Sequence, residues 1–138
     1  MVDRDVVYAK ISIVQRCLRR IKDVTALEPK SLDNIDKLDI FTLNLQRAVQ
    51  ATIDLAARIV ATEGLGIPQD LKETFKLLSN KSIVSSELAG RMEKMVGFRN
   101  IAVHEYQSID VTVLKSILTK HLKDLEDFYG EVLKKFKV

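Results

Sequence analysis

The sequence predicts an all-α fold, an antiparallel helical bundle of four long helices plus one short helix. Three observations carry this. Apolar residues recur at alternating spacings of three and four, the period of a helix face. Leu, Lys, Glu and Ala, all strong helix formers, are abundant. Breakers are scarce: two Pro and five Gly in 138 residues, which leaves room for long uninterrupted segments. One domain spanning residues 1–138 is expected at this length. With few aromatics and no Trp, its core should be aliphatic.

The first helix is expected from about Asp3 to Leu27. Val7, Ile11, Val14, Leu18 and Ile21 repeat at heptad-like spacing, a bundle seam, and Pro29 helps to end it. The second should run from near Asp33 to Gly64. Leu38, Phe41, Leu45, Val49, Thr52, Ala56 and Ile59 form one stripe, and Ile53, Ala57 and Val60 widen it, so this helix should pack on two sides. Asp33, Asp36 and Asp39 stand at its start, where carboxylates complement the helix dipole. That reading is preferred to metal binding because no His or Cys lies nearby.

Gly64, Gly66 and Pro68 mark a turn. A short helix follows over about Gln69 to Leu78, with Leu71, Phe75 and Leu78 on one face. The fourth helix starts near Ser85, a good N-cap, and reaches about Val103. The last begins after Ser108 and continues to the C-terminus on a seam of Val111, Leu114, Leu118, Leu122, Leu125, Tyr129, Val132 and Phe136.

Composition excludes several classes. Cys17 is the single cysteine, so a disulfide-stapled secreted fold is ruled out. The opening MVDRDVVYAK lacks a basic segment followed by an apolar run, so no signal peptide is expected. No apolar stretch approaches the roughly 20 residues that span a bilayer, and a cytoplasmic location with no membrane partner follows by default. A net charge of +3 and a pI near 9.0 permit an anionic partner without requiring one. Arg16, Arg19 and Arg20 share one face of the first helix; that face could hold RNA phosphates or simply be solvated. Cys17 borders an apolar seam with no motif His near it in sequence, which speaks against a nucleophile. His121, between Lys120 and Leu122, reads as solvated or satisfied rather than catalytic.

The fourth helix breaks the apolar pattern in one informative place. Its stripe is Leu88, Met92, Met95, Val96, Ala102 and Val103, and Arg99 sits inside it. A guanidinium there is costly unless it meets a partner or a polar cleft. Phe98 and Ile101 make the segment MVGFRNIAVH apolar almost all round, as for a helix buried in a core or between a core and a second subunit. His104 follows five residues after Arg99, about 140° away on an ideal helix. The two side chains converge only if the helix ends near His104 or if two copies face each other. Neither arrangement needs a metal, since only two histidines exist and no ligand cluster has the right spacing. Taken alone, the pair reads more readily as a buried structural ion pair or as satisfied core polar groups than as a catalytic pair.

The string Arg99-Asn100-Ile101-Ala102-Val103-His104-Glu105-Tyr106 resembles the R-x(4)-H-x-Y motif of HEPN-domain toxins, specifically the HepT family. Asn44-Leu45-Gln46-Arg47, Leu65-Gly66-Ile67-Pro68 and Lys94-Met95-Val96-Gly97 are also similar to HepT sequences, as is the order of elements, so the resemblance covers essentially the whole chain. It implies a HEPN-like homodimer with Arg99 and His104 of both copies lining an interface cleft. The implied activity is metal-independent endoribonuclease cleavage by the toxin of a type VII-like toxin–antitoxin system, with no cofactor. An MntA-like nucleotidyltransferase antitoxin would be the partner and would silence the toxin by transferring AMP to Tyr106. Asn100 could hold a catalytic group or a phosphate oxygen.

The chemistry is consistent with that implication. RNA carries its own nucleophile, the 2′-OH, beside the scissile phosphate. Imidazole handles protons near neutral pH, and Arg offers forked cationic donors to a phosphorane-like transition state. Two other readings stand beside it. One is a non-catalytic helical partner or substrate-binding subunit of a nucleotidyltransferase. The other is a purely structural dimer, which leaves Arg99 in an apolar stripe unexplained.

Overall fold

The computed structural model describes residues 2–137; Met1 and Val138, the ends of the expected 1–138 domain, lie outside the described residues. Helix α1 spans Arg4–Thr25, with the Asp3 carboxylate accepting from the Asp5 amide at 2.9 Å. It ends on two successive left-handed residues, Ala26 (φ 51°) and Leu27 (φ 59°). Thr25 fixes that exit: its hydroxyl donates to the Ile21 carbonyl at 2.7 Å and accepts from the Leu27 amide at 3.1 Å. Pro29 therefore does not stop α1. It opens a separate 3₁₀ turn, Pro29–Asp33, where its missing N–H costs nothing.

Helix α2, Ile35–Thr62, starts two residues after Asp33, because Asn34 is the cap and accepts from the Lys37 amide at 3.1 Å. It is the central helix, packing against α1 on one side and against α3, α4 and α6 on others. Ile53 and Val60 are buried, as the widened stripe requires, while Ala57 is exposed. Gly64 (φ 63°) and Gly66 (φ 123°) reverse the chain; at the latter angle a side chain would be strained. Helix α3, Leu71–Asn80, is capped by Asp70, which accepts from the Glu73 amide at 2.8 Å. Helix α4, Ser86–His104, is capped by Ser85 as expected.

The last long helix is interrupted. Helix α5, Val111–Ser116, runs into a π-helical turn over Ile117–His121 and then into α6, Leu122–Phe136. The buried face continues through the turn. Leu114, Ile117, Leu118, Leu122, Leu125, Phe128 and Val132 are buried, whereas Val111 from the expected seam is exposed. Phe128 packs edge-on against Phe75 of α3, with ring centroids 5.4 Å apart. No helix among the described residues is long and apolar enough to cross a membrane.

Candidate active site at the end of helix α4

Arg99 is half-buried and faces α2. Its Nε donates to Gln50 Oε1 at 2.9 Å, and its Nη1 donates to Asn100 Oδ1 at 3.1 Å. The Gln50 amide is itself held: Nε2 donates to Asp54 Oδ1 at 2.9 Å, and Asp54 Oδ2 accepts from Lys10 Nζ of α1 at 3.4 Å. This relay crosses three helices and fixes which end of the amide meets the guanidinium. An arginine in an apolar stripe thus finds a neutral partner rather than a carboxylate, so its charge is not cancelled where it sits.

His104 is the last residue of α4 and is exposed. The helix ends there because Glu105 leaves helical geometry (φ −141°, ψ 50°), with its amide still donating to the Ile101 carbonyl at 2.7 Å. The chain is helical from Arg99 through His104, and no hydrogen bond joins the two side chains among the described residues. The imidazole makes no hydrogen bond to another described residue. Tyr106 opens a short 3₁₀ turn, Tyr106–Ser108, and is 52% exposed. Its hydroxyl donates to Asp39 Oδ1 of α2 at 3.2 Å. Burial, then the hydrogen bond to Asp39, then that carboxylate's charge push the phenol above its ordinary range.

The acidic run at the start of α2 is therefore more than a dipole complement. Asp36 lies in the first turn of α2. Asp33 precedes the helix and accepts from Lys115 Nζ at 2.7 Å, while Asp39 meets Tyr106. Asp39 ties the turn after α4 to α2, and Asp33 ties α5 to the 3₁₀ turn before α2. Sequence spacing alone could not show this, because each partner lies far along the chain. Gln50 and Asp39 were missed for the same reason. The signal that finds them is the stripe Asp39, Leu43, Gln46, Gln50, which shares one face of α2 at helical spacing.

The basic face of α1 divides. Arg16, Arg19 and Arg20 are all exposed. Arg16 lines a hollow with Ile13, Cys17, Asn44 and Arg47, whereas Arg19 lines one with Lys22, Glu126 and Tyr129 against α6. Cys17 is buried, and desolvation raises its thiol, only partly opposed by Arg47 and Arg16. Such a thiol is a poor nucleophile near neutral pH. His121 is satisfied: Nδ1 lies 3.2 Å from Asp124 Oδ2.

MVGFRNIAVH is not buried all round within one chain. Met95, Val96, Phe98 and Ala102 are covered, but Ile101 and Val103 are 41% and 42% exposed. Val113 of α5, 50% exposed, lines with Ile101 a groove of about 470 Å³ between α4 and the last helical segments, reaching His121 and Asp124.

A family model described as Ribonuclease HepT-like matches residues 14–132. The mRNA nuclease HepT of Shewanella oneidensis is 36% identical over 124 residues, covering 90% of this chain and 93% of that protein. A solved structure of the tri-AMPylated HEPN toxin of Shewanella oneidensis in complex with MNT antitoxin superposes with a TM-score of 0.89 at 34% identity, covering 96% of this chain and 99% of that one. A cytosolic Bacillus subtilis protein, YutE, shares the fold with a TM-score of 0.84 at 15% identity, covering 99% of this chain and 92% of that one. With a family match over most of its length and a relative of this identity and coverage, the chain belongs to the ribonuclease HepT-like family.

Proposed function

We propose that this chain is an endoribonuclease toxin that cleaves RNA at Arg99 and His104 and is silenced when a partner nucleotidyltransferase attaches AMP to Tyr106. The observation that carries the reading is the state of Arg99: a guanidinium anchored through Nε on a neutral amide, five residues before an exposed imidazole. The 2′-oxygen attacks the phosphorus, the bond to the 5′-oxygen breaks, and one proton leaves the 2′-OH while another reaches the 5′-oxygen. Arg99 stabilises the charge on the non-bridging oxygens, and Asn100, already bonded to Arg99, helps to hold it. The scheme asks for a proton acceptor and a proton donor, and each chain offers one unpartnered histidine. Two copies meeting over the exposed Ile101, Val103 and Val113 supply both, which favours a homodimer. Arg16 stands as a phosphate contact, with Arg19 and Arg20 further along α1 as weaker ones.

Similarity to an AMPylated toxin bound to its antitoxin supports the regulatory half. AMP on Tyr106 adds bulk and negative charge two residues from His104, opposing an RNA phosphate where Arg99 attracts it. A cytoplasmic site of action accords with both partners.

The purified, unmodified chain should cleave RNA in the presence of a chelator. Incubation with the nucleotidyltransferase and ATP should add AMP and stop cleavage. Tyr106→Phe should cleave RNA yet escape silencing. Activity that is lost on chelation and restored by a divalent ion refutes the metal-free mechanism, and a Phe variant that still gains AMP refutes the acceptor assignment.

A further inference from the structure

The phenol read above as the AMP acceptor does not face solvent alone; it already rests on a carboxylate of its own chain. Resting on that reading of Tyr106, we propose that Asp39 is a catalytic residue of the transfer, taking the phenolic proton as Tyr106 attacks a nucleoside triphosphate held by the partner. The step balances as follows. The Tyr106 oxygen forms a bond to the α-phosphorus, the bond from that phosphorus to the bridging oxygen of the β-phosphate breaks, pyrophosphate leaves with the electron pair, and the proton passes to Asp39 and then to water.

The geometry is that of a proton acceptor in place. Oη lies 3.2 Å from Asp39 Oδ1, within reach of a direct transfer. Asp39 belongs to α2, a long helix, while Tyr106 sits in the turn after α4, so a rigid element carries the acceptor and an exposed turn presents the nucleophile. Of the three aspartates at the start of α2, Asp33 already carries the Lys115 ammonium at 2.7 Å, and Asp39 is the one bonded to the phenol. The proton must be removed during the transfer, because a phenol is neutral near pH 7 and its hydrogen bond to Asp39 keeps the proton in place beforehand. A carboxylate suffices for that, since the phenolic proton becomes strongly acidic as the oxygen–phosphorus bond forms. The contact also belongs to the unmodified state only. Once AMP is attached, Oη has no proton to donate and a phosphodiester anion faces the Asp39 carboxylate, so the interaction changes from attraction to repulsion.

The test follows the mass of the intact chain with time, using the full-length protein, its nucleotidyltransferase and Mg-ATP. Asp39→Asn keeps an oxygen that accepts the phenolic hydrogen bond but cannot take the proton. It should slow the first AMP addition by about 100-fold, the low end for a general base, while RNA cleavage by the unmodified variant stays at the wild-type rate. Asp39→Glu should recover the transfer to within about tenfold of wild type. Asp39→Asn modified at the wild-type rate overturns the proposal, and so do Asn and Glu variants that are slow to the same degree, which would mark a positional contact. If Tyr106→Phe is modified like wild type, the acceptor reading fails first. That outcome differs from an Asp39 failure, in which Tyr106→Phe resists modification and Asp39→Asn does not.

Discussion

Helix α4 carries Arg91 two turns before Arg99, and the chain has two histidines; the fold treats the two sets in opposite ways. Arg91 Nη1 lies 2.7 Å from Asp124 Oδ1, and His121 Nδ1 lies 3.2 Å from the other oxygen of the same carboxylate. Asp124 is 2% exposed, so a buried carboxylate takes up both the guanidinium and the imidazole, and Asp127 lies 3.7 Å from the same Arg91 nitrogen. Arg99 instead meets the amides of Gln50 and Asn100, and His104 stands exposed at the helix end. A guanidinium paired with a buried carboxylate is consumed by the fold, whereas one anchored on neutral oxygens keeps its charge for an incoming anion. The difference between structure and chemistry here lies in the partner, not in the residue type.

The largest effect should separate the two histidines. His104→Ala should lower RNA cleavage by about 10²- to 10⁴-fold, and Arg99→Ala should do at least as much, both leaving a folded protein by circular dichroism. His121→Ala should cleave RNA near the wild-type rate. Equal losses in His104→Ala and His121→Ala would erase the distinction between the two sets.

Stability should divide the two arginines the other way. Arg91→Ala takes the guanidinium from the buried Asp124 carboxylate and leaves it His121, and should cost about 2 kcal/mol, read as a lower midpoint in urea. Removing Arg99 leaves two neutral amides that rotate to water, and should cost about 1 kcal/mol. If Arg99→Ala proves the more destabilising change, Arg99 is a structural group after all.

A smaller effect tests what holds Arg99 in place. Gln50→Leu keeps the shape but removes the acceptor at Nε. A drop in kcat of about tenfold with KM little changed is expected, a transition-state loss of about 1.4 kcal/mol. In an Arg99→Lys background, which has no Nε–H, Gln50→Leu should cause no further loss. Additive losses would mean that Gln50 acts on the fold and not through Arg99.

These partners explain how far the sequence could be read. The helices were legible because each is written locally, in a seam such as Val7, Ile11, Val14, Leu18 and Ile21 and in caps such as Ser85. Arg99 was legible because it violates such a seam. Its anchor was not, since Gln50 lies 49 residues away and a polar residue on an exposed stripe of α2 reads as solvated. Asp124 shows the same gap from the other side: an acidic residue in α6 has no local mark of burial until Arg91 and the π-helical turn are placed around it. The break in the last helix was equally silent, because Leu114, Leu118, Leu122 and Leu125 keep helical spacing straight through it.

The smallest expected effect concerns the other bond that spans the site. Tyr106 is raised by burial first, then by its hydrogen bond to Asp39, then by that residue's charge. A phenol whose folded pKa exceeds its unfolded value, about 10, adds stability that is fully present below that value. The contribution disappears as pH rises through the folded pKa. Nothing should change near neutrality, and the loss should fall in alkali. Asp39→Asn removes the carboxylate charge but leaves an oxygen acceptor and the burial. Tyr106 should then ionise at lower pH than in the wild type, yet still above the ordinary phenol range. Phenolate absorbance followed through an alkaline titration reads this directly, with Tyr106→Phe identifying which of the three tyrosines moves. If Asp39→Asn leaves the titration unchanged, the Tyr106–Asp39 bond is not populated in solution, and the motif turn is not held to α2 through its tyrosine.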